Sequence, residues 1–490
     1  MYFFSFLKTE HRFSFMKLMC LPAFCLCLVV LTSCSTSKKT AAPISKTEKR
    51  SLPALPVSQI HIPVKLYMKP LLLRMDSMMA KEFTSEKWPD YLQTSCDFRY
   101  KYRFIRSPVS LTCINNKVNI HFQGNYQIAG GKAVCAFGKQ VSPWVSGSCG
   151  FGSESMRKVD VNITSVLQIF PRYEILTKTS LEKLLPQDKC TVSILQTDMT
   201  AEIMDSIRTS IEAYCGNFDQ FVQTLNNNEL LQKWRSRGNR VVPVSRYGFL
   251  NLNPTMLRLG KFNYIRDSLM FSVGFNGTPQ FSSDSASIAT PSYLPTFSNT
   301  ESAPGISVYL NSVYSYQTLS GLLNDSLRNK SFEVEGHTFV IKDVSLGGTD
   351  EGKLRVDVRF DGYKKGTLHL MGTPVLDSAR QVLSMPDISF SVDSRDMLIN
   401  IAKGLFRKKI MKKLKDQSVF DIAALIKSNK AVIEARLNQQ LTDWLSTRGN
   451  FEELKLIGLL PGKNSVHVQI FIKGNITVVG TPPVHRFAMK

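Results

Sequence analysis

The apolar positions of this chain recur mostly with a period of two, the spacing that puts every second side chain on one face of a β-strand. Ile60-His61-Ile62-Pro63-Val64-Lys65-Leu66 alternates in this way, as do Lys117 to Phe122, Ile306 to Leu310 and Lys353 to Val358. Two segments change to the 3.6-residue period of an amphipathic helix. In Thr200 to Arg235 the stripe is Ile203, Ile207, Ile211 and Tyr214; in Arg395 to Trp444 it is Leu398, Ile401, Leu405, then Ile422, Ile426, Ile433 and Leu437. A sheet with one apolar face and a helix with a wide apolar stripe bury each other most completely when the sheet wraps the helix. The pattern therefore predicts an α+β fold of two tandem units, each a long curved antiparallel sheet wrapped on a long amphipathic helix. Gly124, Gly277, Gly362 and Gly474, inside strand sequence, permit the bends that such curvature needs.

The division into units comes from an internal repeat. Each half opens with an alternating strand and a short helix containing Asp76-Ser77-Met78 or Asp325-Ser326-Leu327. The long helices end alike, Leu231-Gln232-Lys233-Trp234 with Arg237-Gly238-Asn239 against Leu441-Thr442-Asp443-Trp444 with Arg448-Gly449-Asn450. Leu252-Asn253-Pro254 and Leu459-Leu460-Pro461 then precede closing strands, Ser268 to Gly277 and Ser465 to Gly474, and a Thr-Pro pair follows at Thr278 and Thr481. Five matches in one order argue for two copies of one unit, at 57–282 and 305–482, with a Ser/Thr/Pro-rich linker at 283–304.

The first residues read as targeting sequence. Lys8, Arg12 and Lys17 precede an apolar run from Leu18 to Leu31 that has signal-peptide length and is too short for an ordinary membrane span. The run ends in Leu31-Thr32-Ser33-Cys34, which resembles the bacterial lipobox. The resemblance implies a signal peptide at 1–33, cleavage before Cys34, lipid attachment (palmitate among the acyl chains) to Cys34, and a polar tether at 34–56. Several acyl chains, at about 0.8 kcal/mol per buried methylene, hold a protein to a membrane without a spanning helix. Ser35, where an Asp would suggest retention in the inner membrane, points to the outer membrane of a two-membrane bacterium, and the absence of an acidic run after Cys34 favours its periplasmic face.

Charge and chemistry narrow the partners. Lys and Arg exceed Asp and Glu by 22, and an exported protein meets anionic headgroups or lipopolysaccharide phosphates rather than nucleic acid. Arg407, Lys408, Lys409, Lys412, Lys413 and Lys415 form a basic run on the second long helix. Six cysteines remain after Cys34, namely Cys96, Cys113, Cys135, Cys149, Cys190 and Cys215; without a C-x-x-C pair they suggest up to three disulfides in any of 15 connectivities rather than a metal site. No nucleophile elbow, H-E-x-x-H or phosphate-cradling loop occurs, since Gly130-Gly131-Lys132 is followed by Ala133 without the spacing or hydroxyl required. His61, His121, His337, His369, His467 and His485 are scattered. The expectation is a protein that is not an enzyme and uses no cofactor or metal.

Taken together, the lipobox and the tandem units resemble a family of bacterial outer-membrane lipoproteins whose units are similar to the tubular lipid-binding superfamily of the bactericidal/permeability-increasing protein. The resemblance spans about residues 57 to 482 and implies apolar tubes that hold lipid, with individual ligand-binding residues unassigned. The functional expectation is a lipid-binding or lipid-transfer lipoprotein. The alternative is a structural or interaction lipoprotein with filled interiors, because residues lining a tube and residues filling a core share one periodicity.

Overall fold

The computed structural model describes residues 51–78, 80–170, 174–192, 197–224, 241–244, 248–288, 295–300, 303–334, 337–393, 408, 411–412, 414–416 and 418–483. In chain order the elements used below are β1 (Ser58–Tyr67), α1 (Lys69–Met78), β2 (Phe98–Arg106), β3 (Lys117–Lys132), β4 (Arg157–Ile169), β5 (Ile175–Pro186), α2 (Thr200–Thr224), β6 (Ser268–Gly277), β7 (Gly305–Ser315), α3 (Tyr316–Leu327), β8 (His337–Gly348), β9 (Leu354–Gly362), α4 (Ile422–Ser428), α5 (Lys430–Leu437), β10 (Leu445–Pro461) and β11 (Ser465–Gly480).

The architecture corrects the expected α+β wrapping. The described chain is mostly strand, in one large curled half-barrel sheet with smaller sheets beside it, and no long helix is enclosed by a sheet. The helix from Thr200 does form, but it lies along β5, whose other neighbour is β4. Its Asp219 carboxylate accepts hydrogen bonds from the Thr179 N–H and from the hydroxyls of Thr177 and Thr179, so it supplies an edge strand with the acceptors a further strand would have given. Burial pushes that carboxyl up, and these hydrogen bonds more than offset it, leaving Asp219 below its ordinary value. Ile203, Ile207 and Ile211 pack on the core around Val159 and Val161, whereas Tyr214, assigned to the same stripe, is 76% exposed.

In the second half the predicted helix from Arg395 to Trp444 is helical at the described positions 408, 411–412 and 414–416, and from 418 onward it gives way to a strand at Val419–Asp421, the short helices α4 and α5, and a strand at Gln440–Thr442. Helix α4 starts where Asp421 accepts from the Ala424 N–H, and Asn429 separates it from α5. Trp444 thus sits at a strand turn, not at a helix end. Cys34, Trp234, Leu398, Ile401, Leu405, His485 and, of the basic run, Arg407, Lys409 and Lys413 lie outside the described residues, while Lys408, Lys412 and Lys415 are described and helical.

Two antiparallel pairings organise the sheet. β1 runs against β6 from Ser58 opposite Gly277 to Tyr67 opposite Ser268, and β7 runs against β11 from Ile306 opposite Gly474 to Ser315 opposite Ser465. β1 then crosses between them, pairing briefly with β7 and, in parallel, with the end of β11 at Val64 to Leu66. Ser58 pins the crossing: fully buried, its hydroxyl donates to the Tyr309 carbonyl and accepts from the Tyr309 N–H. Between the halves, Gln280–Ser282 pairs with β7 and Thr296–Ser298 with Met256 to Arg258, so both short segments belong to the sheet.

Of the six cysteines, Cys96 pairs with Cys135 and Cys149 with Cys190, while Cys113 and Cys215 are buried free thiols whose pKa values burial raises. Asp76, one of the paired motif residues, is structural: it accepts from Arg106 at 2.6 Å and from the Val109 N–H, closing α1 onto β2.

Tyr316, the first residue of α3, is 5% exposed and donates from its hydroxyl to the Gly462 carbonyl at 2.8 Å. Burial favours the neutral phenol and raises its pKa from 10.0 to about 12. Its contribution is whole below pH 10.0 and is lost as the pH climbs from there to about 12, by about 3 kcal/mol across that window. We expect denaturant unfolding between pH 9 and 12 to show this extra alkaline loss in the native chain and not in Tyr316→Phe.

Candidate functional site

An apolar space lies in the second half of the described chain, under the long hairpin of β10 and β11. The strands pair over their whole length, and β11 keeps a strict alternation, with Val466, Val468, Ile470 and Ile472 facing inward. β10 keeps the same face apolar only because two bulges, at Phe451/Glu453 and Leu456/Gly458, each insert one residue and reverse the parity. The inward set is then Phe451, Leu454, Leu456, Leu459 and Pro461, and Leu454, Leu456, Leu459 and Pro461 stand directly opposite Ile472, Ile470, Val468 and Val466.

The other walls come from different layers. On the far side of β11, β7 contributes Leu310 and Tyr314. Helix α3, capped by Ser315 accepting from the Thr318 N–H, contributes Leu319 and Leu323. It is held to β8 by side-chain groups that satisfy the strand's backbone: Asn324 donates to the Val344 carbonyl at 2.7 Å and accepts from the Val344 N–H at 2.8 Å, and Ser320 accepts from the Leu346 N–H. Leu346, Leu354 and Val356 of β8 and β9 form the floor. A three-stranded flap, Val375–Asp377, Val382–Ser384 and Val419–Asp421, covers the space with Leu383 and Phe420, and α4 adds Ile422, Leu425 and Ile426.

The space measures about 140 Å³, and among the described residues its lining is aliphatic and aromatic, with no charged side chain. Beside it Ser312, on the Leu310 and Tyr314 face of β7, is fully buried with no partner for its hydroxyl. Apart from the Tyr314 phenol, the described lining offers apolar surface alone, the kind of wall an apolar guest requires. Among the described residues no three His, Cys, Asp or Glu side chains gather in a metal-binding arrangement. The histidines stay apart, His369 on Asp357 at 2.7 Å and His337 stacked on Tyr363.

One buried amide fastens the flap. Gln381, 5% exposed and at a φ of +54°, donates to the Leu456 carbonyl and accepts from the Leu456 N–H, both at 2.8 Å, meeting the backbone that the bulge withdraws from β11. The Ile422 N–H donates to its carbonyl, which joins α4 to the same point. Nothing in sequence periodicity marked Gln381; the signal available was a glutamine between two short apolar runs, too common to be read.

A second apolar pocket, of about 260 Å³, lies in the first half between Leu72 of α1, Leu111, Val118, Phe262 and Leu269, with the Cys113 thiol donating to the Phe262 carbonyl at its edge. At the other side of the β7–β11 sheet, residues 51–56 run across the surface, where Gln469 donates to the Pro53 carbonyl at 2.8 Å. Gly458 leaves room for Leu52, since a β-carbon there would approach it to 2.9 Å.

A family model for DUF4403, a domain of unknown function, matches residues 56–479, which takes in both the flap and the hairpin. The chain belongs to the DUF4403 family. Comparison with curated proteins finds no match in sequence. Among solved structures the DUF4403 chain is similar to a lipopolysaccharide binding protein, at 10% identity and a TM-score of 0.19 over 86% of this chain and 98% of that one. It is also similar to P47 of Clostridium botulinum E1, at 12% identity and a TM-score of 0.20 over 86% of this chain and all of the other. Likeness at this level defines no shared ligand.

The flap and hairpin of this DUF4403 chain give a direct test. Gln381→Ala removes two buried hydrogen bonds and leaves the Leu456 amide and carbonyl unpaired, a loss of about 2–4 kcal/mol. We expect its urea midpoint to fall accordingly, with hydrogen exchange in Val375–Asp377, Val382–Ser384 and Val419–Asp421 accelerating more than in β3 or β4.

Proposed function

We propose that the DUF4403 chain is a non-catalytic lipid-binding protein that takes a hydrocarbon chain into the cavity beneath the β10–β11 hairpin. The observation that carries this reading is the composition of the lining: aliphatic and aromatic side chains from β7, α3, β8, β9, the flap, α4, β10 and β11, with no charged group among the described residues. An apolar cavity of about 150 Å³ stays dry and accepts a benzene-sized guest. At about 140 Å³ the space admits one end of an acyl chain as it stands, and a longer stretch once the Gln381 clamp releases the flap.

Two further parts of the proposal come from the N-terminal sequence. Cys34 carries the acyl anchor, and the anchored leaflet is the periplasmic face of an outer membrane. From Cys34 to Ser51 the chain spans at most about 60 Å when extended, which keeps the cavity within a few protein diameters of the bilayer. The two halves, each opened by a strand that pairs with its own closing strand, are proposed as tandem units of one origin.

Fluorescent cis-parinaric acid tests the cavity. We expect saturable uptake by the full chain, and a tenfold or greater loss in Val468→Trp, where the indole occupies the space the guest needs. Non-saturable uptake, or equal uptake by that variant, would return the cavity to the role of an underfilled core in a structural protein. The anchor is checked separately by feeding labelled palmitate to producing cells: we expect label on the native chain and none on Cys34→Ala.

A further inference from the structure

The first half carries the opposite feature, an apolar group placed where it serves no core. Beyond the end of β3 the chain forms a small hairpin, Cys135–Ala136 paired with Lys139–Gln140. Its base is tied three ways: by the Cys96–Cys135 disulfide, by the Ala133 N–H donating to the Asp97 carbonyl, and by the Val141 N–H donating to the Val134 carbonyl. Phe137 and Gly138 make the turn, at φ of +49° and +75°. A two-residue turn with both residues at positive φ favours Asn-Gly, and a bulky aromatic in the first place is disfavoured. Phe137 is nevertheless there, wholly exposed at 105%, with Val134, Val141 and Val145 beside it at 62%, 61% and 59%. The residue works against its own turn and buries nothing within the fold, so its apolar surface is available to something outside it.

The surroundings select the partner. From Phe98 to Ser153 the chain has seven Lys and Arg and no Asp or Glu. Lys132 and Lys139 flank the hairpin, with Asp97 the carboxylate at its base, hydrogen-bonded by Ser95. One level further back, the Arg99 guanidinium lies 4.3 Å from the Tyr91 ring and 4.5 Å from the Trp144 ring, and the Lys101 ammonium lies 4.7 Å from Tyr91 and 5.5 Å from Phe151. An apolar tip with cations and amphipathic Trp and Tyr rings behind it matches a bilayer surface, where acyl chains lie beneath a headgroup layer that takes both cations and such rings.

We infer that this stapled hairpin is a membrane-docking finger that inserts Phe137, Val134 and Val141 into the surface of an anionic lipid bilayer while Lys132 and Lys139 meet its phosphates. The inference is independent of the cavity: it concerns how the first half contacts a leaflet, not what the second half holds.

The test uses the full chain carrying Cys34→Ala, so that no acyl anchor contributes, with vesicles of phosphatidylethanolamine and phosphatidylglycerol. The residue at the tip is read by Phe137→Trp, as the difference from the parent chain, in vesicles whose acyl chains are brominated. We expect that tryptophan to shift to the blue and be quenched, and the effect to be lost in pure phosphatidylcholine. Phe137→Asn suits the turn better, so its unfolding midpoint should hold or rise and its parinaric acid uptake should be unchanged, while its vesicle affinity falls about tenfold. An added tryptophan that stays unquenched in vesicle-bound chain, or a Phe137→Asn variant that binds vesicles as the parent does, would overturn the inference. Loss of a protein contact in Phe137→Asn without any change in vesicle binding would likewise assign the tip to a protein partner.

Discussion

A sheet can shelter an apolar space only if each strand keeps one face apolar for its full length, and in β10 and β11 that demand extends over some sixteen residues. β11 meets it by alternation alone. β10 does so with two bulges, each of which bends the strand, raises its local twist and reverses which residues face inward. Leu454 and Leu456 therefore share a face with Phe451 and Leu459 although their positions differ in parity. Every other wall of the cavity is placed against this hairpin, and the second bulge is where Gln381 reaches in to fasten the flap.

The crossing of β1 links that hairpin to the first half. β1 pairs along its whole length with β6 and at its end with β11, so the strand that opens the fold also borders the strand that closes it. Ser58 and Tyr309 exchange two hydrogen bonds at the crossing, and Leu52 and Pro53 continue across the back of β10 and β11.

The strands were legible where alternation is unbroken: β1, β3, β6, β7, β9 and β11 all coincide with period-two sequence. Two things obscured the rest. Bulges hid β10, since Leu454-Lys455-Leu456-Ile457-Gly458-Leu459-Leu460 has no single parity and follows directly on a helical pattern. Short apolar runs such as Val419-Phe420-Asp421 fit either period, and the neighbouring Ile422 and Ile426 drew them into one long helix that the structure divides into strand and two short helices. The wrapped-helix architecture failed for the same reason. It rested on helix length, whereas Asp219 shows the long helix of the first half serving the edge of a strand. The cavity was legible only as apolar composition, because whether facing leucines touch or leave a gap depends on the curl of the sheet and not on the order of residues.

The two apolar features of the molecule differ in how they are defended, and that difference carries functional meaning. The interior one has walls fixed in place: Tyr316 locks α3 to the turn before β11, Asn324 and Ser320 fix α3 to β8, and Gln381 holds the flap, so moving these walls requires the breaking of identifiable hydrogen bonds. The exterior one is unsealed and braced, its disulfide and backbone ties holding Phe137 out in solvent against both the hydrophobic effect and the preference of its own turn. A guarded hydrocarbon space in one half and a rigid apolar tip amid cations in the other are what a chain needs if it is to meet a leaflet with one end and hold part of a lipid in the other.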